Sequence, residues 1–418
     1  MWAEPTYELV GFVMRSTAGE RVSLGIAPCI VYMEEMKPEA HASAPENSAP
    51  SACPAEKGPI YVTRAVLPPA EVYKRYLDEV FDSGHLTNEG RFAVQLEKEL
   101  AARFDVPYFS LCTNGTLSLQ LALRLKGLQG REVITTPFTY VATASALLWE
   151  GCTPVFADVD EETLCLSPKA VEEALSDATA GILPVHIYGN ACDVEGFAAL
   201  SAQYNLACIY DAAQAVGSAY KGKSLLAYGD AAICSFHATK VFHTVEGGGV
   251  VVHNAGEQRQ VGLLRAFGHR GDEHYGLGIN AKLSELHAVM GLALLPQLDA
   301  NIRARKRVTR LYDACFPVPG LRRPVLREGL DYNYSYYPVL FDDPAHRERA
   351  VARMNEAGIY PRRYFSPAVN TIEYMPVKKA CPVAEDAARR TLCLPLYAEL
   401  PEQAVERIIR IIKKSLTA

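Results

Sequence analysis

No apolar run in this chain approaches the roughly 18 residues that a membrane-spanning helix needs. The longest near the start, Ile26–Met33, is less than half a span. The opening stretch carries Glu4 and Glu8 where a secretory leader carries Lys or Arg, so no signal peptide is expected. No two of the eleven cysteines stand in C-x-x-C spacing, and the ten histidines include no H-x-x-x-H. That removes the sequence basis for a metal centre or a dithiol redox motif. Scattered singly, mostly in apolar stretches such as Leu206–Tyr210, the cysteines read as reduced, buried small hydrophobes of a cytoplasmic protein. There is no G-x-G-x-x-G, which excludes the dinucleotide-binding fingerprint of a dehydrogenase. Positive charge is not in excess: 42 Lys and Arg against 48 Asp and Glu leave a net −6. Neither a nucleic acid nor a membrane is therefore expected as a partner.

Between Pro38 and Pro59 there is no Val, Ile, Leu, Met, Phe, Tyr or Trp. Such a stretch cannot bury enough apolar area to offset its ordering entropy, so a linker or disordered arm is expected. It belongs to an N-terminal extension, residues 1–58, in which Tyr7–Met14 and Arg21–Tyr32 have strand character but are too few for a domain.

The remainder has an ordinary globular composition, 49% hydrophobic and 22% charged for the whole chain. From about residue 108, apolar β-rich runs recur at Tyr108–Cys112, Glu132–Thr136, Pro154–Asp158, Gly181–Ile187, Leu206–Asp211, Ala231–Phe236 and Gly249–His253. Segments long enough for helices separate them. The alternation predicts βαβ units and a mostly parallel sheet covered on both faces. Gly115–Leu125 is ambiguous by period, with leucines at 117, 119, 121, 123 and 125, but its residue types favour helix. Ser167-Pro168 reads as an N-cap followed by proline at the first helical position. After Leu298 the texture changes to a basic helix Ala300–Arg310, a strand Asn333–Phe341, a helix His346–Ala357 and a C-terminal helix Glu402–Ser415. The expected division is a large α/β domain over 59–298 and a small α+β domain over 299–418.

Four segments carry chemistry. Asp211 ends an apolar run, and ligands of open α/β sheets lie at the carboxyl ends of strands; taken alone, a helix cap is the plainer reading. Lys240 closes the small-residue loop Ser235-Phe236-His237-Ala238-Thr239-Lys240, ahead of Glu246-Gly247-Gly248-Gly249. A lone lysine is usually a surface lysine, but three glycines let a ligand or a neighbouring strand come close. Thr113-Asn114-Gly115-Thr116 stands between a strand and a helix, where free N–H groups and the helix dipole suit an anion. No Gly-Lys-Ser/Thr follows it, so it is not a Walker loop. Pro137-Phe138-Thr139-Tyr140-Val141-Ala142-Thr143 sets Tyr140 just past a strand end, as a stacking platform or a core tyrosine. A phosphate cradle, an aromatic platform, a strand-end carboxylate and a lysine together match pyridoxal 5'-phosphate. Its aldehyde takes a lysine as a Schiff base, and its pyridine nitrogen takes an acid partner.

Over roughly residues 60–415 the chain resembles the DegT/StrS-type sugar aminotransferases, pyridoxal phosphate enzymes of the aspartate aminotransferase fold (fold type I). The carrying residues are Asn-Gly-Thr at 114–116, Phe-Thr-Tyr-Val-Ala-Thr at 138–143, Asp-Ala-Ala-Gln at 211–214 and Ser-Phe-His-Ala-Thr-Lys at 235–240. Glu-Gly-Gly at 246–248 and Ile-Asn-Ala-Lys-Leu-Ser-Glu-Leu-His-Ala at 279–288 complete them. Tyr61–Thr63, Ser83–Asn88 and Tyr360–Phe365 are similar to the branch that makes dTDP-4-amino-4,6-dideoxyglucose.

The resemblance implies a large seven-stranded-type sheet domain with a small C-terminal domain. It implies Lys240 as Schiff-base lysine and general acid/base, Asp211 on the ring nitrogen and Gln214 on the phenolic oxygen. Tyr140 would stack on the ring, and Gly115, Thr116 and Ser235 would hold the phosphate. Asn280 would reach across from the partner subunit of a homodimer. His85, His243, Arg363 and Tyr364 are the candidate substrate contacts, and no metal is implied. Glutamate would give its amino group, through pyridoxamine phosphate, to a nucleotide-linked 4-keto-6-deoxyhexose, with the dTDP-glucose derivative favoured. Lys282 stands where the family usually has Arg, and His85 where it often has Trp. The alternatives are a sugar 3-aminotransferase, a keto-sugar dehydratase, which carries His for the lysine, and a non-catalytic regulator, which needs a helix-turn-helix that residues 1–58 lack.

Overall fold

The seven apolar runs between residues 108 and 253 become seven strands of one sheet. They are β1 (Tyr108–Cys112), β2 (Glu132–Thr135), β3 (Thr153–Phe156), β4 (Thr179–Leu183), β5 (Ala207–Asp211), β6 (Ala231–Ser235) and β7 (Gly248–Val252). The computed structural model describes residues 58–417, so the N-terminal extension, including Tyr7–Met14 and Arg21–Tyr32, lies outside the described residues. The strand order is β1-β7-β6-β5-β4-β2-β3. Six strands run one way, and β7 alone is antiparallel to both its neighbours. Ile209, Ile233 and Val250 pack on one face with Leu119 and Leu121, while Cys208, Tyr210, Ala232, Cys234 and Val251 pack on the other. Burial of both faces is why these strands read as unbroken apolar runs.

The same crowding explains the blurred period of helix Gly115–Leu125. Leu119, Leu121 and Leu123 are all buried, because the helix packs on the sheet and on helix Ala142–Trp149 at once. Other boundaries moved for local reasons. The expected strand 181–187 ends at Leu183, before Pro184, which has no N–H to give a ladder. Helix Glu285–Leu294 begins where the Ser284 side chain accepts from the His287 amide. The Ala281 backbone is bonded outside the helix instead, its amide to the Arg265 carbonyl and its carbonyl to the Thr113 amide. Ser167 caps its helix as expected, accepting from the Ala170 amide with Pro168 in the first turn.

A second, antiparallel sheet holds β8 (Leu321–Arg322), β9 (Tyr337–Phe341) and β10 (Thr391–Leu394) in that order. Helices Leu298–Asp313, Pro344–Glu356 and Glu402–Leu416 supply the rest of its core. In the last of these, Ala404, Val405, Ile408, Ile409 and Ile412 are buried at three- and four-residue spacing. Ile60 belongs to this core too, since Ile60–Tyr61 pairs in parallel with Ile359–Tyr360. All the described residues fall in one compact unit. Their nine cysteines are unpaired, eight of them buried. Among the described residues no helix is long and apolar enough to cross a membrane.

Candidate active site

With six strands parallel, the segments that follow β1, β2, β4, β5 and β6 all emerge at one edge of the sheet. That carboxyl edge is where open α/β sheets bind ligands. The register sets Cys112, Gly248 and Ser235 in one row, with Asp211 beside Ile233. The four motifs therefore meet.

The start of helix Gly115–Leu125 lies against Ser235, the last residue of β6. Asn114 Oδ1 accepts from the Leu117 amide at 2.8 Å. The first two amides, on Gly115 and Thr116, have no acceptor within the helix. A Cβ on Gly115 would stand 3.0 Å from Ser235 Cβ, so any larger residue would close the space between amide end and hydroxyl. The glycine run 247–249 serves packing, one of the two readings open from sequence. A Cβ on Gly248 would lie 2.6 Å from the Asn114 backbone, and one on Gly249 would lie 2.4 Å from the Phe109 ring.

Asp211 is 5% exposed. Its Oδ1 accepts the Ala213 N–H at 3.0 Å and its Oδ2 accepts the Thr143 hydroxyl at 2.8 Å. Burial pushes the carboxyl up from its ordinary range, while those two bonds and the Lys240 charge pull it back. Lys240, half-buried in the loop between β6 and β7, shows the reciprocal balance. Loss of water pulls its ammonium below the ordinary lysine value, and Asp211, Tyr364 and Tyr140 hold it up in part. Amine, carboxylate and two phenols thus share one electrostatic neighbourhood. Tyr140 is 57% exposed, leaving its ring available as a platform.

Gln214 lies beside them. Its Oε1 accepts the Tyr188 N–H at 2.7 Å, and its backbone carbonyl accepts from Asn333 Nδ2 at 2.8 Å and Ser335 Oγ at 2.7 Å. Lys240, Gln214, Asn333, Ser335 and Tyr336 line one small cavity. Tyr336 meets Tyr364 edge-on, and the Tyr188 hydroxyl donates to the Tyr364 carbonyl at 2.5 Å.

The remaining candidates are more scattered. The Arg363 guanidinium forks onto Glu348, whereas that of its neighbour Arg362 sits 5.3 Å over the Tyr364 ring. His243 is buried with both ring nitrogens engaged, Nε2 with the Val66 carbonyl at 2.8 Å and Nδ1 with the Val245 amide at 3.2 Å. His85 is exposed in the loop after helix Ala70–Ser83, and no bond or ring contact joins it to the Lys240 group among the described residues. Asn280 is exposed, with Oδ1 accepting from Lys282 Nζ at 2.7 Å, in the loop that bonds to Thr113.

No individual role attaches, from sequence alone, to Thr143, Tyr188, Asn333 or Arg362, although Thr143 and Arg362 stand within the motifs at 138–143 and 360–365. Nor does one attach to Gly217-Ser218-Ala219-Tyr220-Lys221-Gly222-Lys223-Ser224, which spells the Walker pattern. Structure disposes of that match. Ala219–Tyr220 pairs with Lys223–Ser224 as a tight hairpin, with Lys221 and Gly222 both at positive φ, and only the single 3-10 turn Leu225–Ala227 follows, not an α-helix.

These features define an α/β enzyme site of the fold type I architecture. The model of the DegT/DnrJ/EryC1/StrS aminotransferase family matches residues 70–413. A dTDP-4-amino-4,6-dideoxy-D-glucose transaminase of Shigella dysenteriae is 38% identical over 363 residues, covering 85% of this chain and 99% of the relative. A UDP-N-acetyl-3-dehydro-alpha-D-glucosamine 3-aminotransferase of Acidithiobacillus ferrooxidans is 34% identical over 337 residues, covering 79% of this chain and 89% of its own. Among solved structures, DesI in the presence of its TDP-sugar product superposes with a TM-score of 0.82 at 31% identity, covering 86% of this chain and 94% of that one. The chain belongs to the DegT/DnrJ/EryC1/StrS aminotransferase family. It is a transaminase, and its cofactor is pyridoxal 5'-phosphate. The residues present suit that group. The close approach of Gly115 to Ser235 beside the free helix amides suits a phosphate, the strand-end carboxylate suits a ring nitrogen, and an amine whose ammonium form is disfavoured by burial suits an aldehyde.

Proposed function

We propose that this transaminase moves the amino group of L-glutamate onto C4 of dTDP-4-keto-6-deoxyglucose, giving dTDP-4-amino-4,6-dideoxyglucose (EC 2.6.1.33). The observation that carries the chemistry is the pairing of Asp211, at the end of β5, with Lys240 in the loop after β6. The choice of sugar follows the near full-length similarity to the Shigella transaminase.

Pyridoxal phosphate, when bound, supplies an electron sink that makes the hydrogen on the nitrogen-bearing carbon acidic. The chain's residues do the rest. Lys240 would anchor the cofactor through Nζ until the donor's amine displaces it, and the freed Nζ would then take the proton from the donor's α-carbon and return it. A lowered pKa leaves that amine free of its proton at lower pH than an exposed lysine. Asp211, kept ionised, holds a proton on the ring nitrogen. Gly115, Thr116 and Ser235 would bind the phosphate, Gln214 would offer its amide to the ring's oxygen, and Tyr140 would stack on the ring. The working unit is a homodimer in which Asn280 reaches the partner's phosphate site.

The relative that acts as a 3-aminotransferase on a UDP sugar favours a second reading, amination at C3. Incubation with glutamate and a panel of dTDP-, UDP- and GDP-linked keto-sugars, with NMR of the products, separates the two. A 4-amino product from the dTDP substrate supports the proposal. A preference for another nucleotide, or nitrogen at C3, overturns it. Lys240→Ala should fold and lose turnover by several orders of magnitude.

A further inference from the structure

We infer that Thr143, backed by Thr139, is the positioning residue that keeps Asp211 ionised and aimed at its partner. The inference rests on the reading of Asp211 as the cofactor's ring-nitrogen partner. The three side chains form a chain. Thr143 Oγ1 lies 2.8 Å from Asp211 Oδ2 and 2.9 Å from Thr139 Oγ1. All are buried, at 5% exposure for Asp211, 1% for Thr143 and 2% for Thr139.

Chemistry fixes the direction of that chain. An ionised carboxylate only accepts, so the single Thr143 proton points to Asp211, and Thr139 must donate to the Thr143 oxygen. Hydroxyls aligned this way in a low-dielectric interior polarise one another toward the carboxylate. Thr143 also sits in the first turn of helix Ala142–Trp149, whose amide end adds positive potential at the same place. The other oxygen, Oδ1, takes the Ala213 amide. Each carboxylate oxygen therefore has one donor from the chain, and only that at Oδ2 comes from a side chain. Burial alone favours the neutral acid, which cannot hold a proton on a ring nitrogen. Thr143 tips the balance back. It is a positioning residue, since it acts through Asp211.

The test uses the holoenzyme. Thr143→Val keeps the shape and removes the hydroxyl, and Thr143→Ser keeps the hydroxyl. The readouts are the dissociation constant for pyridoxal phosphate by absorbance titration, the pH titration of the bound cofactor's absorption band, and kcat against KM for glutamate. Thr143→Val should weaken cofactor binding by roughly tenfold or more. It should displace the spectral titration and lower kcat with little change in KM. Thr143→Ser should behave as wild type.

In an Asp211→Asn background, Thr143→Val should add almost nothing, because its target has already gone. A full additive loss there would mean that Thr143 acts on folding, and would overturn the inference. Wild-type binding and spectrum in Thr143→Val, beside a large defect in Asp211→Asn, would overturn it as well. No defect in Asp211→Asn would instead overturn the reading of Asp211. If Thr143→Val does not fold, Thr139→Val leaves the Asp211 donor in place. It should shift the same readouts in the same direction by a smaller factor, and an unshifted spectrum would refute the relay.

Discussion

Lys240 and Asp211 each correct what burial does to the other, and the sign of that exchange is measurable. The folded chain releases the Lys240 proton below the 10.5 of an ordinary lysine, with desolvation as the main cause and Asp211 opposing it. Between the lowered value and 10.5 the unfolded chain binds more protons, so this group adds stability to the cofactor-free protein as pH rises through that window. Pyridoxal phosphate trapped on Lys240 by borohydride, followed by mass spectrometry across pH, should show a midpoint below 10.5. Asp211→Asn removes the opposing anion, so its midpoint should fall further; a rise would contradict the pairing. A second comparison concerns the adjacent arginines. Arg363 is committed to Glu348, while Arg362 rests on Tyr364 with no carboxylate partner among the described residues. Arg362→Gln should therefore raise KM for the nucleotide sugar by about tenfold. Arg363→Gln should leave KM near wild type, and equal effects in steady-state kinetics would refute the distinction.

Among the elements, helix Arg91–Arg103 begins without a side-chain cap of its own. Its cap comes from a residue far along the chain. Glu285, 2% exposed, accepts the Phe92 amide at 2.9 Å and the Ala93 amide at 2.8 Å. Gly90 makes room, since a Cβ there would stand 2.3 Å from the Glu285 carboxyl carbon. Glu285→Ala should cost about 2 kcal/mol in urea unfolding, from two orphaned amides beside a helix dipole. A loss within error would mean that water replaces the carboxylate.

This cap also marks what the sequence could not disclose. The strands were legible because a doubly covered sheet writes itself as continuous apolar runs. Lys240, Asp211 and the Gly115 turn were legible because each follows such a run or precedes a helix. Thr143, Tyr188 and Asn333 were not, because their partners lie tens to over a hundred positions away and nothing local distinguishes them. The same limit shortened the expected strand 333–341 to Tyr337–Phe341. Asn333 and Ser335 are drawn off to the Gln214 and Val216 carbonyls instead. Conversely, the Walker pattern at 217–224 was written in the sequence and means nothing, because a hairpin forms there.

For the whole molecule, the proposed homodimer makes a prediction that neither chain can meet alone. Mixing inactive Lys240→Ala chains with inactive Asn280→Ala chains should restore activity, since a mixed dimer carries both lesions in one pocket and none in the other. No recovery after verified subunit exchange, or full activity in Asn280→Ala by itself, would show that each chain completes its own site.

Asn333, fully buried, donates to both the Gln214 and Val216 carbonyls, while Tyr337, a few residues on, belongs to a separate core with Tyr312 and Ile408. The backbone that carries Gln214 is thereby mechanically shared between the sheet's ligand edge and the C-terminal core. Cofactor binding should then be felt as stiffness at a distance. Amide hydrogen exchange should slow across 332–337 as well as 211–218 when pyridoxal phosphate is added. In Asn333→Ala the two segments should part company, with 211–218 still slowed by cofactor and 332–337 exchanging as though the pocket were empty.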